Sequence, residues 1–247
     1  MISPLTAFKL GILTSPASWI SAFHMATGYW FPKNYLWKNG VMILLQAGES
    51  NEFAPDYGDL YQMHKMIMKR KPRVVLEFGV GFSTITIAKA LATLGRGHLY
   101  SVDTSEQWLE NTRQKLGDLQ QGVTLWHSKA EVCDHDGQLA CRYTNLPDIT
   151  PDFIYLDGPS PLEIQGNIRG LGFGEKEGAP RQTVAADILL YESTMLVGSY
   201  ILTDRRYINV QFLINNLKRK WRIRWDRVQH QVGFELREIT AGARRLH

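Results

Sequence analysis

The sequence predicts an α/β fold, a doubly wound Rossmann-like sheet of mostly parallel strands with a C-terminal antiparallel hairpin. Three observations carry this expectation. Short β-branched apolar runs alternate with helical patterns from residue 57 to residue 218. Polar or glycine residues stand at the carboxyl end of each run. The last two strand-like runs, 221–228 and 232–239, are separated only by 229–231, a gap that admits a hairpin and no parallel crossover.

The elements follow in order. Residues 57–70 read as a helix with Leu60, Met63, His64 and Ile67 on one face, stopped by Pro72. The run 74–78 (VVLEF) suits a strand covered on both faces. Residues 79–83 turn, and 84–94 form a helix ended by Gly95 and Gly97. The second strand, 98–102 (HLYSV), stops at Asp103, and Ser105 caps a helix over 105–116. Residues 123–127 (VTLWH) and 153–156 (FIYL) are the third and fourth strands, the latter stopped by Asp157. A helix is expected over 183–196 and a fifth strand over 199–202, before Thr203-Asp204. The helix 207–218 aligns Val210, Leu213, Ile214 and Leu217.

A chain of 247 residues with 44% apolar and 21% charged residues is ordinary globular material. It divides into an aromatic N-terminal extension, 1–56, and one α/β domain, 57–247. Short helices are expected at about 5–13 and 16–27. The extension is read as packing on the core, with a homodimer arm or a cover over a site as the functional alternatives. A net charge of +4 permits an anionic partner without requiring one. Two cysteines, Cys133 and Cys141, exclude a disulfide framework and a four-cysteine zinc site, and they suit a reducing, cytoplasmic setting. No run of 18 apolar residues occurs, so no transmembrane helix is expected, and residues 1–15 lack a signal-peptide pattern. No G-x-S-x-G motif or hydrolase-type Ser/His/Asp arrangement is visible. His127 ends a strand and His135 falls in the next loop; both are read as structural.

Ligands of such sheets bind at the carboxyl ends of the strands. There the chain carries Glu77, Gly79, Gly81, Asp103, Ser128, Asp157, Gly158 and Asp204. Gly79 and Gly81 let the backbone approach a ligand and turn sharply into a helix. A dinucleotide fingerprint would place a third glycine at 84, where threonine stands, and Glu77 would serve a pyrophosphate poorly. Both features count against a nicotinamide oxidoreductase. Asp103, 24 residues beyond Gly79, suits the hydroxyls of a ribose.

The segments VVLEFGVGFST, HLYSVDTSEQW and DFIYLDGPSP, in that order, resemble the class I S-adenosylmethionine-dependent methyltransferases. The likeness spans about 57–239 and is closest to the small-molecule and glycan O-methyltransferase branches. It implies S-adenosylmethionine as cofactor. Glu77, Gly79 and Gly81 would border its methionine part, and Ser83 or Thr84 would bond near its carboxylate. Asp103 would hold the ribose, with Thr104 and Trp108 flanking the adenosine. Ser128, Lys129 and Ala130 would border the adenine, and Asp157 would lie under the sulfonium end.

Asp157 and Asp204 end strands that are neighbours in that family's sheet. Catechol-type relatives place metal-binding acids at these two points, followed by an asparagine. Here Arg205 follows, so a third ligand is missing. The reading adopted makes one acid a general base, with Arg205 or Arg206 as its partner or as a substrate clamp. A divalent metal held by the two acids is the alternative, and helix capping by Asp204 a third.

The 25-residue connection 158–182 is rich in glycine and follows the reaction centre. It is read as a lid or acceptor pocket whose Arg169, Lys176 and Arg181 would attract an anionic acceptor. The basic stretch 218–227 alternates Trp221, Ile223 and Trp225 with charged residues. The tryptophans are expected to face the core and the arginines water, so nucleic acid is not expected as a partner. The expected activity is methyl transfer from S-adenosylmethionine to a hydroxyl of a small molecule or glycan. The alternative is a non-catalytic binding module on the same scaffold.

Overall fold

The computed structural model describes residues 29–46, 55–174, 181–204, 206–226 and 231–238. The helices expected at 5–13 and 16–27, together with Lys176 and Arg205, lie outside the described residues.

Seven strands form the main sheet: β1 (Val74–Phe78), β2 (His98–Asp103), β3 (Val123–His127), β6 (Phe153–Leu156), β8 (Tyr200–Thr203), β9 (Trp221–Asp226) and β10 (Gln231–Leu236). Their order is β3-β2-β1-β6-β8-β10-β9. The pairs from β3 to β8 are parallel, and β10 is antiparallel to both β8 and β9. The order reverses between β1 and β6, and that switch point opens a crevice at the carboxyl ends.

Alternation of side chains along the strands divides the core in two. Leu76, Phe78, Leu156, Val232 and Phe234 face one side, with Val210 and Leu213 of α7 (Tyr207–Asn216). Val75, Phe153, Tyr155 and Leu202 face the other. There they meet α3 (Tyr57–Arg70) and α4 (Phe82–Leu94). Two short helices, α1 (Phe31–Lys38) and α2 (Val41–Gln46), bury Leu36, Val41, Met42 and Leu45 in this second cluster.

Local chemistry sets the helix ends. The Asp56 carboxylate accepts N–H bonds from Gly58 and Asp59 at the start of α3. As expected, Ser105 accepts from the Trp108 N–H at the start of α5 (Glu106–Leu116), and Gly95 ends α4 in the left-handed region.

The region after β3 departs from the sequence reading. Residues 130–143 form an antiparallel hairpin of β4 (Ala130–His135) and β5 (Gln138–Tyr143), so His135 lies in a strand and not in a loop. The turn carries its own signal, Asp136-Gly137, with both residues at positive φ (49° and 79°), as a type I′ turn demands. The hairpin is the middle of a second sheet, completed by β7 (Ile164–Gln165) alongside β4. The connection after β6 is thereby pinned to this sheet through β7, with a 3₁₀ turn at Pro161–Glu163 just before it.

The expected helix 183–196 shrinks to α6 (Ile188–Tyr191). Residues before it run along β5 instead. The Cys141 N–H donates to the Val184 carbonyl and the Ala186 N–H to the Cys141 carbonyl. The Asp187 carboxylate, fully buried, accepts the Tyr143 N–H at 2.9 Å. These bonds compete with the helical ones and win for 183–187. Trp225 is also corrected: Trp221 and Ile223 are half-buried as expected, but Trp225 is 52% exposed.

Among the described residues, no helix is long and apolar enough to cross a membrane.

Candidate active site

The ends of β1 and β6 meet glycine to glycine. Gly79 sits at φ +96°, and a Cβ on it would lie 3.0 Å from the Asp157 carbonyl carbon and the Gly158 nitrogen. A Cβ on Gly158 would lie 2.7 Å from the Gly79 nitrogen. Only two residues without side chains let these loops touch. Gly81 is different. A Cβ there meets nothing within 4 Å, so the space in front of it is open.

That space belongs to a cavity of about 410 Å³ at the strand ends. Gly79, Gly81, Ser83 and Asp103 line it, as do Trp108 and Asp157. These six were expected from the sequence and are brought together. Asp59 and Leu60 of α3, Lys115 of α5 and Glu163 of the 3₁₀ turn also line it and were not anticipated. Asp59 had no motif to mark it, since only tertiary packing brings it there; its carbonyl accepts the Gln231 amide of β10 at 3.4 Å.

Asp103 is buried, and each carboxylate oxygen accepts one backbone N–H: Oδ2 from Val80 at 2.7 Å and Oδ1 from Ser105 at 2.8 Å. Burial raises its pKa against these two donors. Each oxygen keeps a further lone pair for a diol at the cavity wall. The Thr104 hydroxyl donates to the Glu163 carboxylate, tying the segment after β6 to the end of β2.

Glu77 and Thr84 lie behind the cavity wall and not among its lining residues. The Thr84 hydroxyl donates to Glu77 Oε2 at 2.7 Å and accepts the Gly81 N–H at 3.0 Å, and Ser101 donates to the same Glu77 oxygen. Thr84 is therefore spent on holding the glycine loop, which leaves Ser83 as the hydroxyl facing the cavity. Glu77 Oε1 is buried without a hydrogen-bond partner. Burial pushes the Glu77 carboxyl up to about 7, against the bonds from Ser101 and Thr84.

This raised value fixes a sign. A carboxyl that binds its proton more tightly when folded supports the fold below its ordinary pKa, and that support is lost as pH rises from about 4.5 to about 7. Glu77→Gln keeps the acceptor oxygen for Ser101 and Thr84 and removes the buried charge. Chemical unfolding across pH should show the wild type losing on the order of 3 kcal/mol over that window relative to Glu77→Gln. Parallel profiles would reject the assignment.

Ser128, Lys129 and Ala130 do not line the cavity. Ser128 is buried, its hydroxyl accepting the Asn145 N–H, and Ala130 is wholly buried in β4, while Lys129 is exposed. Arg169 and Arg181 are both exposed and are likewise absent from the cavity lining.

The far end of the cleft is held by an arginine one position beyond the expected Arg205. Arg206 Nε donates to both Asp204 oxygens at 3.1 and 2.9 Å, and its other nitrogens reach the Pro159 carbonyl at 3.4 Å and Asp157 Oδ1 at 3.7 Å. Against the cost of burial, Asp204 and Asp157 keep this guanidinium charged. Enclosure and the Asp204 carboxylate push the Asp157 carboxyl above the ordinary carboxylate range, with Arg206 opposing. Because 47% of the Asp157 side chain meets solvent, the like charge of Asp204 is the effective part of that rise. Burial and the same Asp204 charge push Asp59 up to about 7. Among the described residues, no group of three His, Cys, Asp or Glu side chains is placed to hold a metal ion.

No family model matches the sequence, and no curated protein matches it. Solved structures share its fold. Cofactor-bound Rv0187 from MTB superposes with a TM-score of 0.53 at 13% identity, over 92% of this chain and 99% of that one. The methyltransferase PaMTH1 of Podospora anserina, bound to SAH, gives 0.52 at 11% identity, over 90% and 95%. A putative caffeoyl-CoA O-methyltransferase from Staphylococcus aureus gives 0.51 at 13% identity, over 80% and 92%. The chain has the Rossmann-like fold of class I methyltransferases.

Proposed function

We propose that this protein transfers a methyl group from S-adenosylmethionine to a hydroxyl of a small-molecule or sugar acceptor. The observation that carries the reading is the single cavity joining Asp103 at one end to Asp157 at the other past the open face of Gly81. A ribose at Asp103 would set the rest of the cofactor along the glycine loop, with Ser83 beside it and Trp108 against the adenosine. When bound, the cofactor supplies a methyl group already activated on a sulfonium. The chain's own part is to hold the acceptor oxygen in line and to take its proton. Asp157 and Asp204 are the acceptors of that proton, and Arg206 fixes both carboxylates and balances their charge. The guanidinium contacts both acids and so balances their charge with a cation of the chain itself, which supports the metal-free version of the reaction.

Calorimetry tests the cofactor half. Wild type should bind S-adenosylhomocysteine and not NAD. Asp103→Ala removes charge-assisted bonds worth roughly 1.5–3 kcal/mol, so its affinity should fall by about ten- to a hundredfold. Gly81→Val should fold normally, because among the described residues nothing lies within 4 Å of a Cβ there, yet bind S-adenosylhomocysteine weakly. Unchanged affinity in both variants would refute the adenosyl reading.

The pairing of the basic strand supports reading it as a solvated strand face. Arg222 is engaged with Glu235, which also meets Arg70 and Arg237. Arg222→Ala combined with Arg224→Ala should leave turnover nearly intact in a methyl-release assay.

A further inference from the structure

Beyond the cleft, the structure exposes an aromatic pair that the core does not use. Tyr207, 59% exposed, opens α7 directly after Arg206; Trp225, 52% exposed, lies on the edge strand β9. Their ring centroids are 6.3 Å apart and the planes are inclined by 38°. The register aligns Thr203, Val232 and Trp225 across three adjacent strands, and Asp204 follows Thr203. Two strand spacings, roughly 10 Å, therefore separate Trp225 from Thr203, the residue before the proposed proton acceptor. Tyr207 directly follows Arg206, which contacts Asp157 and Asp204, so the pair lies beside the two acids at about the span of one further sugar unit.

We propose that Tyr207 and Trp225 form a distal subsite for a second, neutral sugar ring of the acceptor; this rests on the methyl-transfer reading above. The inclined rings make an open shelf, not a parallel slot. A shelf covers one face of a ring and leaves its rim free, which suits a pyranose with C–H groups on its face and hydroxyls around its edge. Polar partners for that edge stand alongside. The Tyr207 hydroxyl lies 3.3 Å from Gln211 Oε1, and the Gln211 amide lies 3.5 Å from Asn215 Oδ1, an i, i+4 ladder on the surface of α7. Amides offer both donors and acceptors to hydroxyls. Among the described residues, the cation next to Tyr207 is Arg206, already bound by Asp204 and Asp157, which favours a neutral ring over a phosphate or carboxylate. The proposal departs from the anionic acceptor expected from Arg169, Lys176 and Arg181.

The test is a glycan array of neutral mono- and oligosaccharides, probed with protein saturated in S-adenosylhomocysteine, with cofactor binding measured by calorimetry on the same samples. Wild type should retain neutral glycans of two or more units in preference to single sugars. Trp225→Ala and Tyr207→Ala should lower affinity for the longer glycans by about tenfold, leave single-sugar binding and cofactor affinity unchanged, and melt as the wild type does. Trp225→Phe should restore most of the loss. Wild type that binds the cofactor but no neutral glycan, or only anionic ones, overturns the subsite and leaves the methyl-transfer reading standing. Equal binding by wild type and both alanine variants also overturns it. Failure to bind S-adenosylhomocysteine overturns the methyl-transfer reading itself, and the subsite with it.

Discussion

Asp157→Asn and Asp204→Asn should each lower turnover by ~100-fold or more, the scale of removing a general base, while S-adenosylhomocysteine affinity stays within a few-fold of wild type. The split follows from the geometry. Asp157 lines the cavity, Asp204 is tied to it through Arg206, and neither supports the glycine loop. The asparagines keep the shape and lose the charge, so a defect in turnover alone isolates the proton-accepting role. The pH–rate profile adds a second readout. Because Asp204 pushes Asp157 above the ordinary carboxylate range, the acid limb of the wild-type profile should lie above that range as well. In Asp204→Asn the limb should move to lower pH, since the like charge is gone. EDTA should leave wild-type turnover unchanged if Arg206 serves between the two acids. Loss of activity on EDTA, restored by Mg²⁺ or Mn²⁺, would make the same acids metal ligands. Full activity in both asparagine variants would remove them from the mechanism.

Gly158→Ala should destabilise the fold by about 2–3 kcal/mol and abolish cofactor binding. The new Cβ would stand 2.7 Å from the Gly79 nitrogen and 2.8 Å from its Cα, against backbone that cannot swing aside as a side chain could. The two loops must separate, and the turn that presents Gly81 moves with Gly79. Gly81→Ala provides the control, since its Cβ meets no protein atom within 4 Å. Denaturant unfolding should show a lower midpoint for Gly158→Ala and an unaltered one for Gly81→Ala. Equal midpoints would mean that the contact between the loops is not tight in solution.

Much of the main sheet could be read directly. The runs VVLEF, HLYSV and FIYL became strands because β-branched and aromatic residues packed on both faces leave little alternative. Asp103 and Asp157 were legible for the same reason, as polar residues that stop buried strands. The second sheet was harder. Its strand 130–135 mixes buried, half-buried and exposed positions without strict alternation and carries two acids and a histidine, so hydrophobic pattern alone is silent; the Asp136-Gly137 turn was the usable sign. The stretch 183–187 reads as helix by propensity, yet pairing with β5 and the buried Asp187 carboxylate decide otherwise. Trp225 follows the correct alternation but sits where α7 begins, and local sequence carries no record of where a neighbouring helix stops. Asp59 joined the cavity, and Arg206 the acids, by tertiary packing that no short motif encodes.

The placement of β10 bears on how the molecule is made. This strand, last of the main sheet in sequence, is an interior one, inserted between β8 and β9 with Phe234 wholly buried. Until it emerges from the ribosome, β8 keeps an unpaired edge and β9 has no neighbour in the sheet. The wall that carries Asp204 on one side and Trp225 on the other is therefore assembled in a single late event, after the Asp103 end of the crevice has all its strands. A nascent chain passes through an interval in which half a binding crevice is complete beside an open row of backbone donors and acceptors, the kind of edge that recruits foreign strands. Closure by the final hairpin covers that edge and completes the wall in the same step.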